Sequence, residues 1–142
     1  MFLTRLINLL PMLLGIGTLL GKDPTFNARK TRDIGPFVVA ELSAGDRQTL
    51  RNMAMSYSAD NELSNQEKEN KFFDLRLQAI AATARNKNGY FLFNPMSVKD
   101  MQKIAGYPST VLENALDAIA EISSEPFLRA TPAPEADTEN PS

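Results

Sequence analysis

Neither cysteine nor histidine occurs anywhere in the 142 residues. The first absence excludes disulfides, and the second removes the side chain whose unperturbed pKa lies nearest neutrality. Together they exclude a Ser-His-Asp or Cys-His nucleophile pair and any thiolate or imidazole zinc site. Catalysis would have to rest on carboxylates, lysines or a cofactor, and the reading adopted here is a non-enzyme that needs no cofactor and no metal. An excess of charge is missing as well. The net charge is −2, and Glu135, Asp137 and Glu139 near the C-terminus account for the acidic side of that balance. The rest of the chain is close to neutral, so no long-range field gathers nucleic acid or anionic lipid.

What the chain does contain is enough apolar material for one domain: 43% hydrophobic and 23% charged residues, too apolar for general disorder. Residues 2–21 are the most apolar stretch, with Arg5 as the only charge. Between Arg5 and Lys22 lie 16 residues, fewer than the roughly 20 that a membrane-crossing helix needs. Pro11, Gly15 and Gly17 weaken a helix there further. A secretory signal is a second alternative, with a basic start, an apolar run and small Gly15 and Gly17 near a cleavage position. The reading preferred over both is an apolar N-terminal helix over 1–21 that packs on the body or on a partner, with Leu9, Leu13 and Leu14 as candidate contact residues. Gly17, Gly21 and Lys22 do not make a phosphate loop, since the glycine spacing is one residue short and Asp23 stands where a hydroxyl is required.

Residues 22–36 are polar and broken by Pro24, Gly35 and Pro36, which predicts a linker or arm. Phe37 to Leu42 then form a β-prone run, expected to pair either with Asp33 to Gly35 or with a later short strand. Ser43, with Asp46 three residues on, caps a helix over about 44–59, with Leu50, Met53, Ala54 and Tyr57 on one face. Ser64 and Glu67 repeat that pattern and launch a helix over about 65–85, whose core stripe is Phe73, Leu77, Ile80 and Ala84. Asn88-Gly89 is expected to stop it, and Tyr90-Phe91-Leu92-Phe93 to pair with 37–42 as a two-stranded element. Ser97 and Asp100 cap a helix to about Ala105, and Gly106-Tyr107-Pro108 separates it from a last helix over about 109–123. The folded domain is thus expected over 37–124. From 125 to 142 the Pro-rich, acidic composition predicts a disordered tail, clearest over 129–142. The fold class expected is mainly α: a small helical bundle with a short two-stranded β element.

Three constellations invite a function. Val98 to Leu116 have the apolar spacing of a helix-turn-helix, but the outer face of the second helix carries Glu113, Asp117 and Glu121, which would oppose a polyanion. A DNA-binding protein is therefore the weaker alternative, and no nucleic-acid partner is expected. The same three carboxylates are candidate contact residues for a basic partner helix, against the simpler reading of a solvated face. Glu67 and Asp74 share a helix face as hydrolase carboxylates might, yet exposed pairs of this kind are common, and no calcium-loop motif is present.

The strand Phe37 to Leu42 leading through Glu41-Leu42-Ser43-Ala44 into a helix resembles the lambda-like phage tail assembly chaperones. So does the order Asp74-Leu75-Arg76-Leu77 to Ala84, a turn at Gly89, Leu92-Phe93, a helix, and Val111-Leu112 opening the last helix. The likeness covers roughly 37–142; the apolar segment 4–21 departs from it. The resemblance implies a mostly helical factor of the host cell cytoplasm, absent from the mature virion. Its partners would be the tape measure protein, along which copies self-associate, and the tail tube protein, engaged through a longer product of ribosomal frameshifting. The present chain would be the short form. The other alternative, from a different class, is a small membrane-anchored or secreted helical protein using the apolar N-terminal residues.

Overall fold

The structure is a computed structural model, and it describes residues 21–130. Four helices dominate: α1 (Ala44–Ala59), α2 (Asn65–Thr83), α3 (Val98–Ala105) and α4 (Ser109–Ser123). A small sheet is formed by β1 (Thr31–Asp33), β2 (Val38–Ala40) and β3 (Ala84–Arg85). The mainly α class is as expected, and the helix bounds follow the caps. The Asp46 amide donates to the Ser43 hydroxyl, and the Asp100 amide to Ser97, each at 3.1 Å. At α2 the capping box is complete in both directions: the Glu67 amide donates to Ser64, and the Ser64 amide to the Glu67 carboxylate. Each cap satisfies amides that the first helical turn would otherwise leave unpaired.

The β element differs from expectation. It has three antiparallel strands in the order β1-β2-β3, with Arg32 opposite Val39 and Val39 opposite Ala84. Tyr90 to Phe93 do not pair with 37–42. Helix α2 ends at Thr83, two residues early, and Ala84-Arg85 take the place beside β2, while Phe91 bridges Arg85 and Tyr90 bridges Lys22. The Asn88-Gly89 signal belongs to the turn between Arg85 and Phe91, not to the helix end. Gly89 has φ +91°, and a Cβ there would stand 2.8 Å from the Phe26 ring. The supposed linker 22–36 is likewise built into the fold, carrying the 3-10 turn Phe26–Ala28 and strand β1.

All three residues of β2 are buried because α2 and α4 pack on this central strand. The core gathers Val39, Leu75, Leu77, Ile80, Ile104, Ile119 and Leu128 around α2. Phe37, Phe93 and Tyr107 meet edge to face at 5.5–6.5 Å, joining the start of β2, the segment after β3 and the α3–α4 turn. Such aromatic pairs add about 0.5–1.5 kcal/mol each beyond the area they bury. Two stripe assignments shift: Leu75 is in the core, and Phe73 is 45% exposed. Helices α3 and α4 make their main packing with α2 rather than with each other, unlike the two helices of a DNA-reading motif.

Candidate interaction site

At its C-terminal end α4 is terminated by Ser124, whose left-handed backbone (φ 57°, ψ 44°) turns the chain back toward α1. This brings Glu125 to two arginines one helical turn apart. The Nε–H of Arg47 and an Nη2–H of Arg51 both donate to Glu125 Oε2. The carboxylate is buried, while the two arginines are more open to solvent. So anchored, the 3-10 turn Pro126–Leu128 sends Leu128 into the core. The tail expected from 125 therefore starts no earlier than 131, and residues 131–142 lie outside the described part.

Beside that anchor is an apolar groove of about 600 Å³. Ala54, Met55, Ser58 and Ala59 of α1, Phe72 of α2 and Phe127 line it, with Arg51 at the rim. Small residues on α1 leave room, and Met55, 63% exposed, supplies a flexible, polarizable contact surface. Phe72 is held against Tyr57 edge to face at 5.8 Å. The groove has the chemistry of a receptor for an apolar helix face.

A second ion-pair cluster joins the segment before β1 to β3. Asp23 is 3% exposed, and its Oδ2 accepts from Arg85 Nε at 3.2 Å and Nη2 at 3.0 Å, with Arg29 Nε at 3.1 Å. The Thr25 hydroxyl and amide donate to Oδ1 at 2.7 and 2.8 Å. Burial alone would raise the Asp23 carboxyl, but the Thr25 bonds and then Arg85 outweigh it and hold the group below its ordinary value. Burial also pulls the Arg85 guanidinium down, offset in part by Asp23. Arg85 further donates to the carbonyls of Ala82 and Ala84 and lies over the Phe91 ring at 3.9 Å. Both oxygens of Asp23 and all three nitrogens of Arg85 thus have partners, as a buried pair requires. The cluster is a structural joint with no open face to a substrate.

The candidate contact residues divide. Leu9, Leu13 and Leu14 lie outside the described residues. Glu113, Asp117 and Glu121 do share one side of α4, but not as a bare stripe. Glu121 pairs with Arg32 at 3.1 Å, Asp117 Oδ1 accepts the Ala130 amide at 3.1 Å, and Glu113 stands exposed beside a different groove. The Met55–Phe127 groove escaped the sequence reading. Its signal was an exposed Met55 beside Ala54 and Ala59, but its far wall is Phe127, in residues read as tail. Among the described residues no three acidic side chains gather in a way that could hold a metal ion, and no helix is long and apolar enough to cross a membrane. No protein-family model, curated protein or solved structure matches this chain.

Proposed function

We propose that this chain is a phage tail assembly chaperone, a non-enzymatic protein of the host cell cytoplasm that binds the tape measure protein, keeps it soluble and is absent from the finished virion. The observation that best supports this reading is the apolar groove between α1, α2 and Phe127, which suits the apolar face of a long client helix. The family resemblance over 37–142 agrees with it. Single contacts of this size are weak, and copies bound side by side raise the effective concentration of the next. A longer frameshifted form would carry the contact with the tail tube protein.

Co-expression with a phage tape measure protein tests the reading. Solubility of the client should depend on this chain, and a client equally soluble or equally precipitated without it overturns the proposal. Met55→Glu places a charge in the groove at an exposed position, where such changes usually alter folding stability by no more than about 0.5 kcal/mol. It should abolish solubilisation; full activity of the variant would move the client site away from this groove. The apolar run 2–21 favours one other reading, a membrane-anchored or secreted protein. Recovery of the full chain in the membrane fraction, or loss of its first twenty or so residues, would establish that alternative.

A further inference from the structure

A second groove, of about 210 Å³, runs between α2 and α4. Leu77, Leu112 and Leu116 form its apolar floor, Phe73 stands at its side 45% exposed, and Arg76 reaches into it. Arg76 Nε is sealed from solvent and has no hydrogen-bond acceptor. A buried donor of a charged group without a partner is rare in native proteins and calls for an explanation. Ala130, the last described residue, is itself part of the groove wall, held there by the bond from its amide to Asp117.

We propose that this groove is the binding site of the chain's own residues 131–142. Their sequence is Thr-Pro-Ala-Pro-Glu followed by Asp137 and Glu139. Proline-containing extended segments dock on aromatic-walled grooves at low entropic cost, and Pro132 and Pro134 are offered to Phe73. Glu135 is five positions beyond Ala130, a span of up to about 17 Å, and its carboxylate is the first of the segment offered to the Arg76 guanidinium. Glu113, which also lines the groove, repels that carboxylate and favours the Arg76 side. The groove is thereby occupied in the free protein, and an outside ligand must displace the segment. This inference stands apart from the assembly reading and does not need it.

The complete lack of cysteine allows a single spin label through Thr138→Cys in the full chain. The expected result is loss of amide NMR intensity confined to the groove residues Leu77, Leu112 and Glu113, together with a shift of the Arg76 Nε–H resonance on Glu135→Gln. Broadening spread evenly over the surface, or an Arg76 resonance indifferent to Glu135→Gln, overturns the proposal. A mixture of isotope-labelled unmodified chain with spin-labelled chain at natural abundance must show no broadening. If it does, the groove takes the segment of a second copy, and the intramolecular proposal falls.

Discussion

Arg85 and Asp23, 62 positions apart in the chain, meet inside the protein with Arg85 Nη2 at 3.0 Å from Asp23 Oδ2 and both side chains no more than 3% exposed. The pair fastens the N-terminal arm to the end of β3. Breaking a buried pair by removing one partner costs about 3–5 kcal/mol, because the other charge is left without compensation. Asp23→Leu should therefore destabilise the fold by about that amount in urea melts, since it leaves the buried Arg85 without a carboxylate. The double variant Asp23→Leu with Arg85→Met should be less destabilised than Asp23→Leu alone. Additive losses would show that the two groups are not coupled.

The same pair sets a pH dependence. The folded Asp23 carboxyl is held below its ordinary value of 3.8, so between the two pKa values the unfolded chain binds more protons than the folded one. Its contribution is complete above 3.8 and is lost as pH falls through the lower, folded value. Urea melts from neutral to strongly acid pH should show the stability gap between the unmodified chain and Asp23→Asn narrowing on the acid side. A gap that widens there would reverse the assigned direction.

Glu125 holds the turn Pro126–Leu128 against α1. Glu125→Ala removes two charge-assisted bonds and leaves two partly solvated arginines, which predicts a loss of about 2 kcal/mol. Arg47→Met and Arg51→Met should each cost less, because the remaining arginine keeps the carboxylate paired. Hydrogen exchange at Leu128 and Arg129, whose amides donate to the Glu125 and Pro126 carbonyls, should quicken most in Glu125→Ala.

Gly89 and Gly45 should respond oppositely to alanine. At Gly89 the positive φ and the Phe26 ring 2.8 Å from a new Cβ predict a loss of at least about 1–2 kcal/mol. At Gly45, in the first turn of α1, nothing lies within 4 Å, and alanine should gain about 0.5–1 kcal/mol through its lower conformational freedom. Thermal melts of the two variants measure both signs.

Much of the helical frame was legible because its signals are local. Ser43 with Asp46, Ser64 with Glu67 and Ser97 with Asp100 are caps that a three-residue spacing reveals, and α1, α2 and α3 begin where those signals place them. What could not be read is what joins distant parts of the chain. Asp23 looked like an ordinary loop residue until Arg85 came against it. Arg85 read as the end of a helix, although its backbone pairs with β2 and its guanidinium closes over Phe91. Glu125 sat among prolines and suggested a tail, whereas its two partners are 78 and 74 residues earlier. The groove wall at Phe127 depends on that contact, so it was hidden for the same reason. Phe73 failed for another cause: helical spacing gives a stripe but not its width, and the core around α2 turns toward Leu75 instead.

Among the described residues strand β1 has no partner on its outer side, and Thr31, Arg32 and Asp33 along it are all exposed. A border made of one threonine and two opposite charges is a poor template for a foreign strand, since a neighbour that added itself there would have to bring those charged groups together and strip their water. At the other border β3 is only two residues long, too short to nucleate a ladder. These two borders therefore offer little template for amyloid-type stacking when many molecules are crowded together.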